Sequence, residues 1–363
     1  MSTDFKREAA WHYLCSLKNI GIRSIEKLII FSGSPEEALK VDTETIKEAG
    51  IFSAAALNEW NDTAGRRRDN YAYYESSHKG RYRFISKDHP DYPDKLKNID
   101  LAPYGLWVIG KLPAKEKRCA AIIGSRVSTE YGRSMAEMIG AKLAGWNIGV
   151  VSGMAMGIDA EGQWGALKNG GYSLGVLGCG VDICYPACNI ELYEYLANYG
   201  GIISEFAPGS PGLAQNFRQR NRLISGLSEC VIVTEARKKS GTQLTVSWAL
   251  DQGKEVFALP GRFTDKYSEG CNQMISDGAC ILNDMDTLRD FFGAGSEKEN
   301  AVITLTEDEK RIYSLLNSDM QHFEHLYFKA GMKTDELFKV LYSLEKKGLA
   351  TQPMRNHFTR RLF

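Results

Sequence analysis

The chain has 363 residues, 43% of them hydrophobic, and 45 lysines and arginines balance 45 aspartates and glutamates. This length suggests two or three domains, and the balanced charge means that a nucleic-acid site requires local clustering of basic residues. No segment is apolar over the roughly 18 residues of a membrane span, and residues 1–17 lack the apolar stretch of a signal peptide. With eight cysteines and no export signal, we expect a cytoplasmic protein with free thiols and no membrane association.

The first segment contains two helical patterns joined by an apolar turn around Gly21, which lies between Ile20 and Ile22. This arrangement is typical of a helix-hairpin-helix or SAM-like unit. We therefore predict a small all-α domain over residues 1–80.

In residues 119–282, short β-rich runs alternate with glycine or polar turns and with helical stretches. This alternation is typical of a doubly wound sheet, and continuous apolar runs suit strands that are covered on both faces. We predict a Rossmann-like, mostly parallel α/β core over residues 81–292. The predicted strands are 120–123, 148–151, 173–177, 201–204, 230–234, 255–259 and 280–282. The predicted helices are 131–144, 159–168, 190–198, 218–227 and 242–252.

The last segment follows a linker, predicted over residues 293–302 from its glycine, serine and charged residues. Thr306 and Glu309 form a capping-box sequence that opens a helix, and the apolar spacing of residues 337–344 indicates a later one. Two short strands over 349–352 and 358–363 complete the pattern, so we predict a winged-helix domain over residues 303–363.

Glycine-rich turns follow several predicted strands. Gly124, Ser125 and Arg126 follow the first strand, residues 152–157 contain the second such turn, and residues 237–242 contain a later one. In open α/β sheets ligands bind beyond the carboxyl ends of the strands, and the N–H groups of such turns bind anions. The expected ligand carries phosphate, although strand-to-helix turns also need glycine for packing alone. None of these turns has a dinucleotide or P-loop fingerprint, so we expect no bound cofactor.

A basic cluster occupies residues 216–222, where Phe217 accompanies three arginines. Arginines neutralise phosphates and an aromatic ring stacks on a base, although any one arginine could instead form a salt bridge. Arg218 and Arg222 share a helix face, while Arg220 points elsewhere.

All six histidines lie outside the predicted α/β strands, helices and turns of the core, which excludes a Ser-His-Asp triad there. Proton transfer would depend on Asp159, Asp182, Glu205 or Glu235. Helix capping and turn formation are the commoner roles of such acids, and we predict a cap for Asp159 and a turn role for Asp182. We expect a protein that is not an enzyme.

Six motifs in this order resemble the DNA-processing protein A (DprA/Smf) family and span the core from residue 95 to 282. They are IIGSR at 122–126, SGMAMGID at 152–159, LGCGVD at 177–182, YP at 185–186, RNRLISGLS at 220–228 and LPG at 259–261. The resemblance implies a homodimeric protein that binds single-stranded DNA, protects it in natural transformation and loads the RecA recombinase onto it.

The resemblance also implies residue roles. Ser125 and Arg126 would hold a phosphate, Gly153 and Met154 would line the pocket, and Arg220 with Arg222 would form its basic wall, with Phe217 as the stacking ring. The predicted DNA-binding residues are Gly124, Ser125, Arg126, Gly153, Met154, Phe217, Arg218, Arg220, Asn221, Arg222, Lys239, Ser240, Gly241 and Thr242. The chain departs from the family pattern at Gln163, usually histidine, and at Arg218, usually proline.

Two alternatives remain. A nucleotide phosphoribohydrolase of the lysine-decarboxylase-like Rossmann group would need a glutamate where this chain has Thr245. A nucleotide-sensing Rossmann module would bind a small signalling nucleotide at the same edge of the sheet.

Overall fold

The computed structural model describes residues 3–77, 80–294, 305–317 and 320–360. The N-terminal part is helical, as predicted, and the turn at Gly21 separates its first two helices. The helices are α1 Thr3–Cys15, α2 Ile22–Ser32, α3 Pro35–Ala38, α4 Thr43–Glu48, α5 Ala54–Asp62, α6 Ala64–Arg68 and α7 Asn70–Ser77.

Helix α1 attaches these helices to the rest of the protein. The Trp11 ring stacks on Tyr104 with 4.8 Å between ring centroids. The buried carboxylate of Glu8 accepts a hydrogen bond of 2.7 Å from the backbone N–H of Ser86. The N-terminal helices therefore share an apolar core with one edge of the central sheet.

Nine strands of the described residues form one sheet, in the order β1-β2-β6-β5-β4-β3-β7-β8-β9. The strands are β1 Arg83–Ser86, β2 Gly105–Gly110, β3 Cys119–Ile123, β4 Gly149–Ser152, β5 Ser173–Val176, β6 Gly201–Ser204, β7 Cys230–Val233, β8 Glu255–Ala258 and β9 Cys280–Ile281. Strands β3 to β9 pair in parallel, and β1 and β2 add an antiparallel edge beside β6. The seven predicted strands are confirmed to within one residue. Strands β1 and β2 were missed because they precede the alternating strand-helix pattern.

Helices cover both faces of this sheet. They are α8 Asp94–Lys97, α9 Glu130–Gly145, α10 Ile158–Lys168, α11 Ile190–Tyr199, α12 Ala214–Leu227, α13 Thr242–Asp251, α14 Glu269–Ser276 and α15 Met285–Phe292. All five predicted helices are present, and α12 begins four residues before the predicted start. No helix within the described ranges is long and apolar enough to cross a membrane.

The strand order reverses direction between β3 and β7. From β3 the chain proceeds through β4, β5 and β6 on one side, and then crosses to β7, β8 and β9 on the other. Strands β3 and β7 are hydrogen-bonded neighbours, with Ile123 opposite Val233. Such a switch point leaves a crevice beyond the strand ends, which is where ligands bind in open α/β sheets.

The C-terminal part contains α16 Glu307–Leu315, β10 Gln321–His322, α17 Phe323–Ala330, α18 Thr334–Lys346, β11 Ala350–Met354 and β12 His357–Arg360. The predicted capping box is confirmed, because the Thr306 hydroxyl accepts from the N–H of Glu309 and the Glu309 carboxylate accepts from that of Thr306. Strand β10, which pairs with β12, was not predicted. Most of the predicted linker, residues 295–302, and the end of the last predicted strand, residues 361–363, lie outside the described residues.

Candidate nucleic-acid interface

A cavity of about 1010 Å³ opens at the switch point between β3 and β7. Its walls are the turn after β3, the first half of α12 and the turn before α13. The predicted site residues that line it are Gly124, Ser125, Arg126, Phe217, Arg218, Arg220, Asn221, Lys239, Ser240, Gly241 and Thr242. We refer to it as the main cavity.

Backbone hydrogen bonds fix the turn after β3. The N–H of Ser125 donates to the carbonyl of Glu235 over 2.8 Å, and the Ser125 hydroxyl donates to the carbonyl of Val127 over 2.6 Å. The Glu235 carboxylate accepts from the N–H and the hydroxyl of Thr129. Both donors of Ser125 are therefore engaged, whereas the exposed side chain of Arg126 forms no hydrogen bond with a described residue.

The residue before α10, Gly157, packs closely against the same loop. Gly157 precedes α10 with φ +76°, and a Cβ at this position would lie 2.5 Å from the carbonyl oxygen of Ser125. Only glycine fits here, because the conformation is left-handed and the carbonyl is close. The contact holds the backbone around Arg126 in one position.

The Phe217 ring, which lines the main cavity, has two arginines near it. The guanidinium carbon of Arg126 is 6.0 Å from the centre of the Phe217 ring, and that of Arg220 is 5.9 Å away. Tyr185 flanks the same ring with 4.9 Å between centroids. Arg126 is exposed and makes no ion pair with any described residue. This arrangement offers a stacking surface beside an unneutralised cation.

Arg220 differs from Arg126 because it is almost fully buried. It donates to the carbonyls of Gly153 and Val176, and the carboxylate of Asp159 accepts from the N–H of Gly153 over 3.1 Å. Burial lowers the pKa of Arg220 to about 10, so the side chain stays charged at neutral pH. Burial also raises the pKa of Asp159, although Arg220 opposes that shift. Arg220 therefore fixes the turn after β4 through its hydrogen bond to Gly153, and it adds positive potential to the cavity wall.

Three predicted residues do not line the main cavity. Arg222 is fully buried, and its guanidinium donates to the Glu205 carboxylate and to the carbonyl of Leu101. The prediction of Arg222 in the basic wall is therefore wrong, because its charge is neutralised inside the protein. Met154 is also fully buried, and its sulfur packs beside Gly175. Gly153 lines a cleft of about 40 Å³ beside Arg126 and Phe217.

The sequence prediction missed some lining residues. Arg237 lines the main cavity, with its guanidinium carbon 4.7 Å from the centre of the Tyr267 ring. The run of three basic residues that Arg237 forms with Lys238 and Lys239 could have indicated it. Tyr185, next to Phe217, also lines the cavity, and its position in the YP motif could have indicated it.

The four acidic residues considered for proton transfer all have structural partners. Glu205 pairs with Arg222, Glu235 binds Thr129, and Asp182 accepts from the N–H of Gly209 over 2.9 Å. Asp159 binds Gly153 and is the second residue of α10, so the prediction that it caps this helix is wrong.

Comparison with known proteins identifies this architecture. The family described as DNA recombination-mediator protein A matches residues 83–293, which include every turn of the main cavity. The chain belongs to the DNA recombination-mediator protein A family. The predicted resemblance to DprA/Smf proteins is thereby confirmed.

Several bacterial members of this family are similar to this chain over most of their length. DNA processing protein DprA of Streptococcus pneumoniae is 37% identical over 201 residues, which cover 55% of this chain and 71% of that protein. Its X-ray structure gives a TM-score of 0.63 at 28% identity and covers 78% of this chain and 97% of that one. DNA processing protein A of Helicobacter pylori, described for its single-stranded DNA binding mode, gives a TM-score of 0.54 at 27% identity. That comparison covers 58% of this chain and 95% of that one.

The two departures from the DprA pattern have different surroundings. Gln163 is fully buried on α10, and its amide donates to the Ser173 hydroxyl over 3.1 Å, so it does not line the cavity. Arg218 is exposed at the start of α12 and does line it. Of the two, only Arg218 borders the main cavity.

Proposed function

We propose that this protein binds single-stranded DNA in the main cavity and acts as a recombination mediator without a catalytic step. The observation that carries the proposal is the charge of the lining. Among the described lining residues, five are basic and one, the buried Asp159, is acidic. The basic ones are Arg126, Arg218, Arg220, Arg237 and Lys239. This is the local clustering that a chain with no net charge needs to attract a phosphate backbone.

The half-buried ring of Phe217 favours a single strand over a duplex. Stacking on an aromatic side chain requires a base whose face is accessible, and the face of a base in a duplex is covered by its neighbours. The similarity to DNA processing protein A of Helicobacter pylori, a structure described for its single-stranded DNA binding mode, supports this proposal.

The nucleotide-hydrolase alternative has less support. Thr245 lines the cavity where that group would need a glutamate, and Asp159 is engaged with Gly153. A positioned general base is therefore missing.

The wider role is part of the same proposal. We infer that the protein is a cytoplasmic homodimer that loads RecA recombinase onto the bound strand and protects DNA in natural transformation. We also assign residues 1–80 to a SAM-like domain, 81–292 to the Rossmann-like core, 293–302 to a linker and 303–363 to a winged helix. The helices and the three described strands of the C-terminal part support the last assignment.

Fluorescence anisotropy tests the binding proposal. Labelled oligothymidylate of about 20 nucleotides, a mixed-sequence single strand and its duplex are titrated with the protein. We expect similar affinity for the two single strands and weaker binding to the duplex, because phosphates and base faces carry no sequence information. Equal affinity for the duplex, or displacement of the strand by a mononucleotide at lower concentration than by unlabelled DNA, would contradict the proposal. The second outcome would favour a nucleotide sensor.

A further inference from the structure

A second cavity, of about 510 Å³, adjoins the main cavity. Arg218 and Leu244 line both cavities, so the two share a wall formed by α12 and α13. The far side of the second cavity is the start of α2, which belongs to the N-terminal helices. A strand leaving the main cavity over Arg218 would enter this space directly.

Apolar side chains supply much of the second cavity's lining. Its apolar lining residues are Ile22, Leu101, Leu244 and Trp248. The Trp248 ring is half-buried, so one part packs in the protein while another borders the cavity. An apolar space beside an indole ring suits a flat aromatic group such as a nucleobase.

Positive charge flanks this apolar space. Arg23 and Arg218 are both exposed, and neither forms an ion pair or a side-chain hydrogen bond with a described residue. Arg222, which also borders the cavity, is already neutralised by Glu205. Two unpaired guanidinium groups around an apolar space match an anionic ligand that carries an aromatic ring.

We propose that the second cavity holds a further nucleotide of the strand that occupies the main cavity. Its base packs against Trp248 and Leu244, and its flanking phosphates lie against Arg218 and Arg23. This inference rests on the proposed function and deepens it, because it makes the N-terminal helices part of the DNA path.

Two glycines allow each cavity to be filled separately. Gly21 lines the second cavity with φ −80°, Gly241 lines the main cavity with φ −63°, and a Cβ at either position meets nothing within 4 Å. Gly21→Trp therefore blocks the second cavity, and Gly241→Trp blocks the main one. Gly145→Trp is the control, because Gly145 lines neither cavity and its Cβ also meets nothing within 4 Å.

Each variant is titrated with oligothymidylates of about 3 and about 20 nucleotides. We expect Gly21→Trp to weaken binding of the long strand about tenfold, within the range that stacking of one base contributes, and to leave the short strand unaffected. Gly241→Trp should weaken both strands, and Gly145→Trp neither. Thermal unfolding of each variant establishes that it is folded.

Arg23→Ala gives a second measurement that does not depend on a bulky replacement. For the long strand, the slope of log K against log salt should fall by about 0.7, whereas Arg68→Ala, an exposed arginine outside both cavities, should not change it. Wild-type binding of the long strand by Gly21→Trp and Arg23→Ala, with Gly241→Trp weakened, would overturn this inference and leave the proposed function standing. An equal loss for both lengths in Gly21→Trp would overturn it too. Wild-type binding by Gly241→Trp would instead refute the main site, and the inference with it.

Discussion

Arg222 and Glu205 form a bidentate ion pair inside the protein, with two nitrogen-to-oxygen distances of 2.7 Å. The two side chains are 0% and 5% exposed. The carbonyl of Leu101 accepts two further hydrogen bonds from the same guanidinium. The pair joins α12 to the end of β6 and to the segment before β2. Its role is structural, because no charge is left over for a ligand.

Arg222→Ala should therefore destabilise the fold. Removing one partner of a buried pair leaves an uncompensated charge and costs about 3 to 5 kcal/mol in the free energy of unfolding. Urea unfolding followed by tryptophan fluorescence measures this loss. The double variant Arg222→Met/Glu205→Leu should recover much of it, since it removes both charges together. If Arg222→Ala unfolded at the same urea concentration as the wild type, a structural role of Arg222 would be contradicted.

Arg126→Ala should weaken DNA binding and leave the stability of the fold almost unchanged. Arg126 is exposed and unpaired among the described residues, so stability should change by less than about 0.5 kcal/mol. Single-strand binding should weaken for every sequence, and the slope of log K against log salt should fall by about 0.7. Arg68→Ala is a matched control for the loss of one exposed positive charge. Normal affinity and slope in a folded Arg126→Ala protein would place the DNA elsewhere.

Phe217→Leu tests the stacking surface separately from charge. The leucine keeps an apolar side chain beside Tyr185 but cannot stack on a base. We expect binding of a single strand to weaken by about 1 to 3 kcal/mol with no change in the salt slope, because no phosphate contact is lost. Parallel titrations at several salt concentrations distinguish the two effects. A changed slope with unchanged affinity at low salt would show that Phe217 acts by positioning the arginines.

A chain that ends at Gly295 should retain most of its single-strand affinity. Helix α18 together with its C-cap residue Lys347 carries no net charge, since the helix contains Lys339, Lys346, Asp335, Glu336 and Glu345. Arg355 and Arg360 could add a weak contact. Anisotropy of the shortened and full chains with one oligonucleotide measures the difference. A loss beyond about tenfold, or roughly 1.4 kcal/mol, would show that the C-terminal part is a main DNA site.

The C-terminal part should lose stability in acid through Glu309. Hydrogen bonds from Lys347, Ser343 and the Thr306 N–H lower the pKa of its carboxyl to about 2. A lowered pKa stabilises the fold above the unfolded value of 4.5, and this stabilisation disappears as the pH falls from there to about 2. Glu309→Gln should cost about 2 kcal/mol at neutral pH and flatten this pH dependence. Amide hydrogen exchange in residues 305–360 measures this loss of stability. Equal protection in Glu309→Gln and the wild type at neutral pH would contradict the role of the carboxylate.

Local patterns in the sequence determined much of this protein. The alternation of apolar runs and helical stretches predicted all seven strands from β3 to β9, because strand and helix periodicities are properties of neighbouring residues. The capping box at Thr306 and Glu309 was predictable from the sequence for the same reason, since its two hydrogen bonds join residues only three positions apart. Strands β1 and β2 were not predicted, because they precede the alternating strand-helix pattern, and their antiparallel pairing with each other and of β2 with β6 joins segments that are far apart in the chain.

The tertiary structure decided which of the predicted residues meet. Helical spacing placed Arg218 and Arg222 on one face, but their environments depend on distant segments. Glu205 and Leu101, which bury Arg222, are 17 and 121 residues away in the chain. The main cavity likewise exists because β7 pairs with β3, which brings the turn at Arg126 beside the turn at Lys239. Strand order and burial arise from contacts between segments far apart in the sequence, and spacing within one segment carries no information about them.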